Sequence, residues 1–184
     1  MRILLAGIAV AALVGIVGCA DDTIETGTET GTTISSETSA VDIHAVFDPC
    51  TDIDSSFIAD EQLNALPPKA TEYTVGRTHW QGCNFVSKSG YGLIVQTTNG
   101  TLDQVRAKGF VNYVDLTINN RRALQYDGPV DAPAGGCAIN VEMKGGSLEI
   151  GIDDPNTENT RRLQPCDLAT YLAEKIVPML PTSS

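Results

Sequence analysis

The sequence has few of the side chains that enzymes and nucleic-acid-binding proteins use most. It contains only two histidines, His44 and His79, and neither stands in a catalytic or metal-binding motif. The G-x-S-x-G, H-E-x-x-H, P-loop and G-x-G-x-x-G patterns are absent, which removes the usual sequence evidence for hydrolase, zinc or nucleotide chemistry. Basic residues number 12 against 23 acidic ones. Because nucleic-acid binding depends on lysine and arginine that neutralise phosphates, this excess of acid argues against a nucleic-acid partner.

The sequence also lacks an apolar run long enough to span a membrane. The uncharged stretch Ile3–Gly18 has sixteen residues, whereas a transmembrane helix needs about 20. It leads into Ile16-Val17-Gly18-Cys19, which is typical of a bacterial lipoprotein signal, where cleavage before the cysteine frees it to accept diacylglycerol. We therefore predict that residues 1–18 are a signal peptide and that Cys19 is lipidated. An uncleaved anchor helix and ordinary secretion are the alternatives, and the bulky Ile16 and Val17 disfavour secretion.

The chain has five cysteines and no C-x-x-C pair, so a zinc site is not expected. An odd thiol in an exported protein needs an explanation, and lipidation of Cys19 supplies one by leaving four. Four cysteines allow three disulfide connectivities. We choose Cys50 with Cys83 and Cys137 with Cys166, because each bridge then fastens the start of one helix to one strand. Four free buried thiols are the alternative, which an oxidising compartment disfavours.

Residues 20–42 cannot build a hydrophobic core. They include seven threonines, three serines and six acidic residues, with no aromatic, proline or basic residue. So little apolar surface does not offset the entropy of ordering the backbone, and we expect disorder. The predicted organisation is a signal peptide (1–18), a lipidated cysteine with a disordered tether (19–43), and a single α+β domain (44–184).

Within the domain, we predict a helix over about Ser55–Ala65 with Asp54 as its N-cap, and a second helix that Asp167 caps and that ends near Val177. Between them, alternating apolar residues and turn residues indicate strands. These strands are expected at Gly82–Lys88, Tyr91–Thr98, Val111–Ile118, Arg122–Tyr126, Cys137–Met143 and Ser147–Ile152, with a weaker extended segment at Tyr73–Val75. The predicted fold is α+β: an antiparallel sheet of about five strands, an N-terminal and a C-terminal helix packed on it, and two disulfides.

Short motifs surround the four cysteines of the domain. They are Asp48-Pro49-Cys50, Gln81-Gly82-Cys83-Asn84-Phe85, Cys137-Ala138-Ile139-Asn140-Val141 and Pro165-Cys166-Asp167-Leu168-Ala169. In this order they resemble the landmarks of an uncharacterised family of actinobacterial, mycobacterial-type cell-envelope lipoproteins with a four-cysteine domain, over residues 47–180. That family commonly has an aromatic residue, often tryptophan, after the second cysteine, whereas this chain has Asn84 and then Phe85. The resemblance implies an envelope lipoprotein of unknown function and carries over no catalytic residue.

The sequence thus favours a non-enzymatic binding or interaction module on the extracytoplasmic face of the cell membrane. Acyl chains on Cys19 would hold it there, and its partner would be an envelope protein or a small amphiphile. We expect a monomer without metal or cofactor, and we read the acidic run Asp153–Glu158 as a solvated turn. One alternative is a carrier of a lipid or cell-wall precursor in a cavity between helices and sheet. Another is a hydrolase without recognisable motifs.

Overall fold

The computed structural model describes residues 42–128, 136–153 and 164–182. The predicted signal peptide (1–18), the predicted lipidation site Cys19 and residues 20–41 of the predicted tether (19–43) lie outside this range. The last two tether residues are described: Asp42 caps the first helix and Ile43 is buried in the domain. The described strands are β1 (Lys69–Val75), β2 (Thr78–Val86), β3 (Gly92–Thr98), β4 (Val114–Ile118), β5 (Arg121–Asp127), β6 (Cys137–Met143) and β7 (Gly146–Asp153). The described helices are α1 (Ile43–Val46), α2 (Ser55–Asp60), α3 (Leu102–Arg106) and α4 (Pro165–Ile176). A single 3-10 turn, Val177–Met179, follows α4.

The strands form one antiparallel sheet in the order β1-β2-β3-β7-β6-β5-β4. This confirms the predicted antiparallel sheet, but the prediction of about five strands was wrong, because the sheet has seven. The two outermost strands, β1 and β4, each pair with one neighbour and are mostly exposed. Such edge strands bury little and therefore carry a weak apolar alternation, which is the signal used to find strands in a sequence.

Strand register divides the residues between two faces, since neighbouring side chains along a strand point to opposite sides. Cys83, Val95, Ile150 and Ile139 are cross-strand partners and form one row of what we call the core face. Helices α1, α2 and α4 contribute to the same buried cluster. On α4, the inward residues are Ala169, Leu172, Ala173 and Ile176, all fully buried. The domain's main core therefore lies between α4 and the sheet.

The predicted helices are present, but their limits differ from the prediction. Helix α2 ends at Asp60, not near Ala65. There Gln62 adopts a positive φ of 55°, and the N–H of the buried Leu63 donates to the carbonyl of Ile58 at 2.9 Å, which turns the chain into the core. Helix α4 begins at Pro165, so Gln164 is the N-cap and Asp167 lies in the first turn. A proline suits the first helical position because its missing N–H would have no helical partner there.

Two disulfides connect helical segments to the sheet. Cys50, between α1 and α2, is bonded to Cys83 of β2, and Cys137 of β6 is bonded to Cys166 in the first turn of α4. Their Cα atoms are 5.0 Å apart in both pairs, within the usual range for a disulfide. Each bridge thus holds the beginning of a helical region against a strand.

Candidate functional site: a groove on the open face of the sheet

The face of the sheet opposite α4, here called the open face, is covered by α3 at one side. Leu102 and Val105 of α3 pack against Leu124, Tyr126 and Ala138 in a second buried cluster. Helix α3 is held in place by a capping box, in which the Thr101 hydroxyl accepts from the Gln104 N–H and the Gln104 side chain accepts from the Thr101 N–H. Helices α3 and α4 thus pack on opposite faces of the sheet, a placement that the sequence does not predict.

Beside this cluster lies a groove of about 320 Å³, the open-face groove. Its lining residues are Tyr73, Ile94, Gln96, Gly128, Gly136, Cys137, Ala138, Glu149, Gly151, Ile152 and Asp153. The groove is deepest at Gly151, which has no side chain and which pairs with Ile94 of β3 on one side and Ala138 of β6 on the other. A Cβ at Gly151 would meet only the Ile94 Cβ, at 3.7 Å. A depression therefore forms where the middle residue has no side chain.

A fixed set of hydrogen bonds joins the polar residues of the groove. The Gln96 side-chain amide donates to the Tyr73 hydroxyl oxygen and to Glu149 Oε1, each at 3.0 Å. The Trp80 indole N–H donates to Glu149 Oε2 at 3.2 Å. Burial, and then the Glu149 charge, raise the pKa of Tyr73. Since the Tyr73 oxygen accepts from Gln96, its own hydroxyl hydrogen is directed elsewhere and can donate to a ligand.

Gly82 lets β2 approach β3 closely at the groove residue Gln96. Gly82 lies on β2, between Thr71 of β1 and Gln96 of β3. A Cβ at Gly82 would lie 2.5 Å from the Cβ of Gln96, which is too close for two carbon atoms. Only glycine permits this close approach of β2 to β3 beside Gln96.

Buried oxygens without a hydrogen-bond partner surround this glycine. Within the described residues, the atoms concerned are Thr71 Oγ1, Asn84 Oδ1 and Gln96 Oε1. Thr71 and Gln96 are the two cross-strand partners of Gly82, and Asn84 is two positions along the same strand, so all three residues belong to the open face. Gln96 is only 2% exposed. A buried acceptor that lacks a donor is costly, about 1–3 kcal/mol, so each such atom in a folded protein calls for an explanation.

An aromatic stack forms one wall of the groove. Tyr73 and Trp80 are directly paired across β1 and β2, and their rings stack at 5.0 Å with an interplanar angle of 11°. The Lys108 Nζ lies 4.2 Å from the Trp80 ring centroid. Burial lowers the pKa of Lys108, and Glu149 opposes this effect. Tyr73 remains 45% exposed, which leaves it available to a ligand.

The two histidines come together on the core-face side of the sheet. Their ring centroids are 4.4 Å apart in an edge-on arrangement. His44 Nδ1 is 2.8 Å from Thr97 Oγ1, and His79 Nε2 is 3.1 Å from Glu72 Oε1. Burial, and then the neighbouring His79, lower the pKa of His44. The hydroxyl, the imidazoles and the carboxylate are the components of a nucleophilic site, but Thr97 is fully buried and its hydroxyl donates to the Gln81 carbonyl at 3.2 Å, so it cannot attack a substrate.

Sequence reasoning found neither the groove nor the histidine pair. Gln96 is 23 residues from Tyr73 and 53 from Glu149, so no local motif connects them. The described ranges 42–128, 136–153 and 164–182 bring together no group of three or more side chains able to hold a metal. The predicted acidic turn begins at Asp153, and its remaining residues 154–158 lie outside the described part of the chain.

None of the described helices is long and apolar enough to cross a membrane. In comparisons with known proteins, the sequence model of a family described as "Protein of unknown function (DUF3558)" matches residues 14–179. No curated protein matches the chain, and no solved structure matches it.

Proposed function

Given that the chain belongs to the DUF3558 family of proteins of unknown function, we propose that it is a non-enzymatic lipoprotein of the bacterial cell envelope that binds a small amphiphile in its open-face groove. The observation that carries the proposal is the buried Gln96. It lines the groove, its amide nitrogen is fixed by two hydrogen bonds, and its oxygen has no donor among the described residues. Protein atoms cover this oxygen, so a ligand that draws the Gln96 side chain toward the groove and supplies the donor would remove this cost.

The lining supports an amphiphile over a purely polar or purely apolar ligand. Ile94 and Ala138 provide an apolar floor, while Gln96, Glu149 and the Tyr73 hydroxyl provide polar groups at defined positions. Sites for small molecules usually combine apolar walls with a few polar groups that fix orientation. The volume of about 320 Å³ is at the lower end of the roughly 300–1,000 Å³ that such sites have, which points to a small ligand.

We place the ligand on the open face because the space on the core face is filled. The inward side chains of α4 are fully buried against the sheet, and they include Leu172 and Ile176. A carrier of a lipid or cell-wall precursor between helices and sheet would need a cavity of several hundred Å³ there. That role remains an outcome of the experiment below.

The proposed anchor rests on the sequence alone. The apolar run that ends in Ile16-Val17-Gly18-Cys19 and the polar residues that follow it match a lipoprotein signal and a tether. Two or three acyl chains on Cys19 would hold the domain stably at a membrane, since each buried methylene contributes about 0.8 kcal/mol. A Cys19→Ala variant is expected to leave the membrane fraction and remain folded. Its retention in the membrane fraction would contradict the anchor.

Native mass spectrometry of the protein extracted from its own envelope tests the binding function. We expect an acylated chain with a further mass from a retained ligand. Gly151→Val should lose that mass, because the position is open above Gly151 and valine fits a strand. Gly92→Val is the matched control, since Gly92 lies on the same face, does not line the groove, and has only ordinary contacts with Asp153 for an added Cβ.

A wild-type mass with acyl chains and nothing more would contradict ligand binding. Equal retention of the ligand by Gly151→Val and Gly92→Val would contradict the groove as its site. In that case a Leu172→Phe variant, which adds volume between α4 and the sheet, would show whether the ligand is carried on the core face.

A further inference from the structure

We infer that the open-face groove recognises a primary ammonium group carried on a short apolar segment. This inference rests on the proposed function, because it names the chemistry of the ligand for the same groove. It is drawn from the charges, the unpartnered acceptor and the aromatic wall of the groove.

The charge of the lining selects against anions. Glu149 and Asp153 are both carboxylates, and none of the described residues that line the groove is lysine, arginine or histidine. The nearest cation with a described contact to this network is Lys108, which lies over the Trp80 ring. The acidic excess of the whole chain, with a formal net charge of −11, acts in the same direction. A fatty-acid carboxylate or a phosphate headgroup would meet repulsion here, whereas a cation would be attracted.

The hydrogen-bonding pattern selects a cation that can donate. Gln96 Oε1 is an acceptor without a partner, and each Glu149 oxygen accepts one N–H and has a lone pair left. A primary ammonium brings three N–H donors, so it can donate to the free lone pairs of Glu149, and also to Gln96 Oε1 when the side chain turns this covered oxygen toward the groove. A quaternary ammonium has the same charge but no N–H and would leave the Gln96 oxygen unsatisfied. Of the two cations, the primary amine therefore fits better.

The aromatic wall and the apolar floor complete the match. A cation over the face of a tyrosine within about 6 Å of its centroid is attracted by the ring quadrupole, and Tyr73, which lines the groove, is 45% exposed. Its position is fixed on one side by the stack with Trp80 and on the other by the hydrogen bond from Gln96. Ile94 and Ala138 then offer apolar surface to the segment that carries the amine.

The chain contains its own reporter for this test. Trp80 is the only tryptophan in the sequence, and it contacts both Tyr73 and Glu149 of the groove. We would titrate the full acylated chain, in phosphatidylcholine nanodiscs, with hexylammonium, hexanol, hexanoate and hexyltrimethylammonium, and follow tryptophan fluorescence. These probes share one apolar chain and differ in charge and in N–H donors. Gly151→Val corrects for partition of the probes into the bilayer.

Hexylammonium is expected to bind at least about tenfold more tightly than hexanol or hexyltrimethylammonium, which corresponds to about 1.4 kcal/mol or more. Hexanoate is expected to give no saturable change. Glu149→Gln should weaken hexylammonium by about tenfold. Asp153→Asn, at an exposed position, should weaken it less and gives a second variant that the fold tolerates. Glu142→Gln is the matched control, because Glu142 is an exposed carboxylate paired with Arg122 and away from the groove.

The amine could be free in solution or belong to an ethanolamine headgroup. If phosphatidylethanolamine is the source, nanodiscs made with it will compete and weaken hexylammonium binding, and if the amine is free the affinity will be unchanged. Either result is compatible with the inferred chemistry. Equal binding of hexanol or hexanoate, or an equal loss in Glu142→Gln and Glu149→Gln, would overturn it.

Failure of this inference is distinguishable from failure of the proposed function. If the protein from its own envelope retains a ligand that Gly151→Val loses, while hexylammonium shows no preference, then the groove binds a ligand of different chemistry. If neither experiment detects a ligand, both proposals are wrong.

Discussion

Loss of the Cys137–Cys166 disulfide should lower the stability of the domain by an amount set by its loop. The bridge closes 29 residues, and in the chain-entropy model a loop of that length removes about 12 cal/mol/K from the unfolded state, or about 3.6 kcal/mol at 25 °C. This is a large part of the roughly 5–15 kcal/mol by which domains are stable. Because Cys166 lies in the first turn of α4, the bridge also holds α4 against the sheet. Leu172 of this helix is buried there.

The measurement is urea unfolding of wild type and of the double variant Cys137→Ala/Cys166→Ala. With a slope of about 2 kcal/mol/M, the midpoint should fall by about 1.8 M. The other bridge closes 33 residues, so Cys50→Ala/Cys83→Ala should lose nearly the same free energy. Unfolding of the wild-type protein in the presence of a reductant is the control, because it breaks the disulfide without removing the sulfur atoms. A loss below about 1 kcal/mol in both double variants would refute the entropic reasoning.

Further predictions concern the core, a helix cap and a titrating group. Leu172→Ala should lower the free energy of unfolding by about 2–5 kcal/mol in a denaturant titration, because Leu172 is fully buried. The control Glu174→Ala, at an exposed position of the same helix, should change it by less than about 0.5 kcal/mol. Similar losses in the two variants would contradict the core assignment. Thr101→Ala should cost about 1 kcal/mol, since its hydroxyl caps α3, and an unchanged midpoint would argue against the cap. Because the pKa of His44 is lowered in the folded domain, the unfolded chain protonates this imidazole more readily than the folded domain does. The free energy of unfolding should therefore fall as the pH drops below about 6.5. His44→Gln should show a smaller fall in melting temperature between about pH 7.5 and pH 5.5 than wild type, and an identical fall would contradict this.

Turn chemistry explains why the sequence shows the breaks between the strands that became β4 and β5, and β6 and β7. Asn119 and Asn120 adopt φ values of 47° and 64° between β4 and β5, as expected of residues that tolerate positive φ. Gly145, with φ 94°, turns the chain between β6 and β7. These conformations depend on the residues themselves, so the local sequence carries the information.

The groove could not be predicted, because it depends on register between distant strands. Gly82, Gln96 and Glu149 become neighbours only when β2, β3 and β7 pair as they do. The sequence around each of them is ordinary, and a glycine in a strand indicates a close approach without naming the residue approached. The pair of His44 and His79 is of the same kind, since α1 brings the first histidine to the strand that carries the second.

The ends of the helices were also predicted only approximately. Asp167 has the right chemistry for an N-cap and lies close to the start of α4, but Pro165 begins the helix two residues earlier. The tertiary connection to Cys137 fixes Cys166 in the first turn, and that constraint is invisible to local propensity.

A crystal structure of the protein extracted from its own envelope would show whether the open-face groove holds a ligand. We expect electron density between Tyr73 and Ala138, with a donor atom within hydrogen-bond distance of Gln96 Oε1. An empty groove in which Gln96 Oε1 bonds to a neighbouring side chain, or a ligand bound between α4 and the core face, would contradict it.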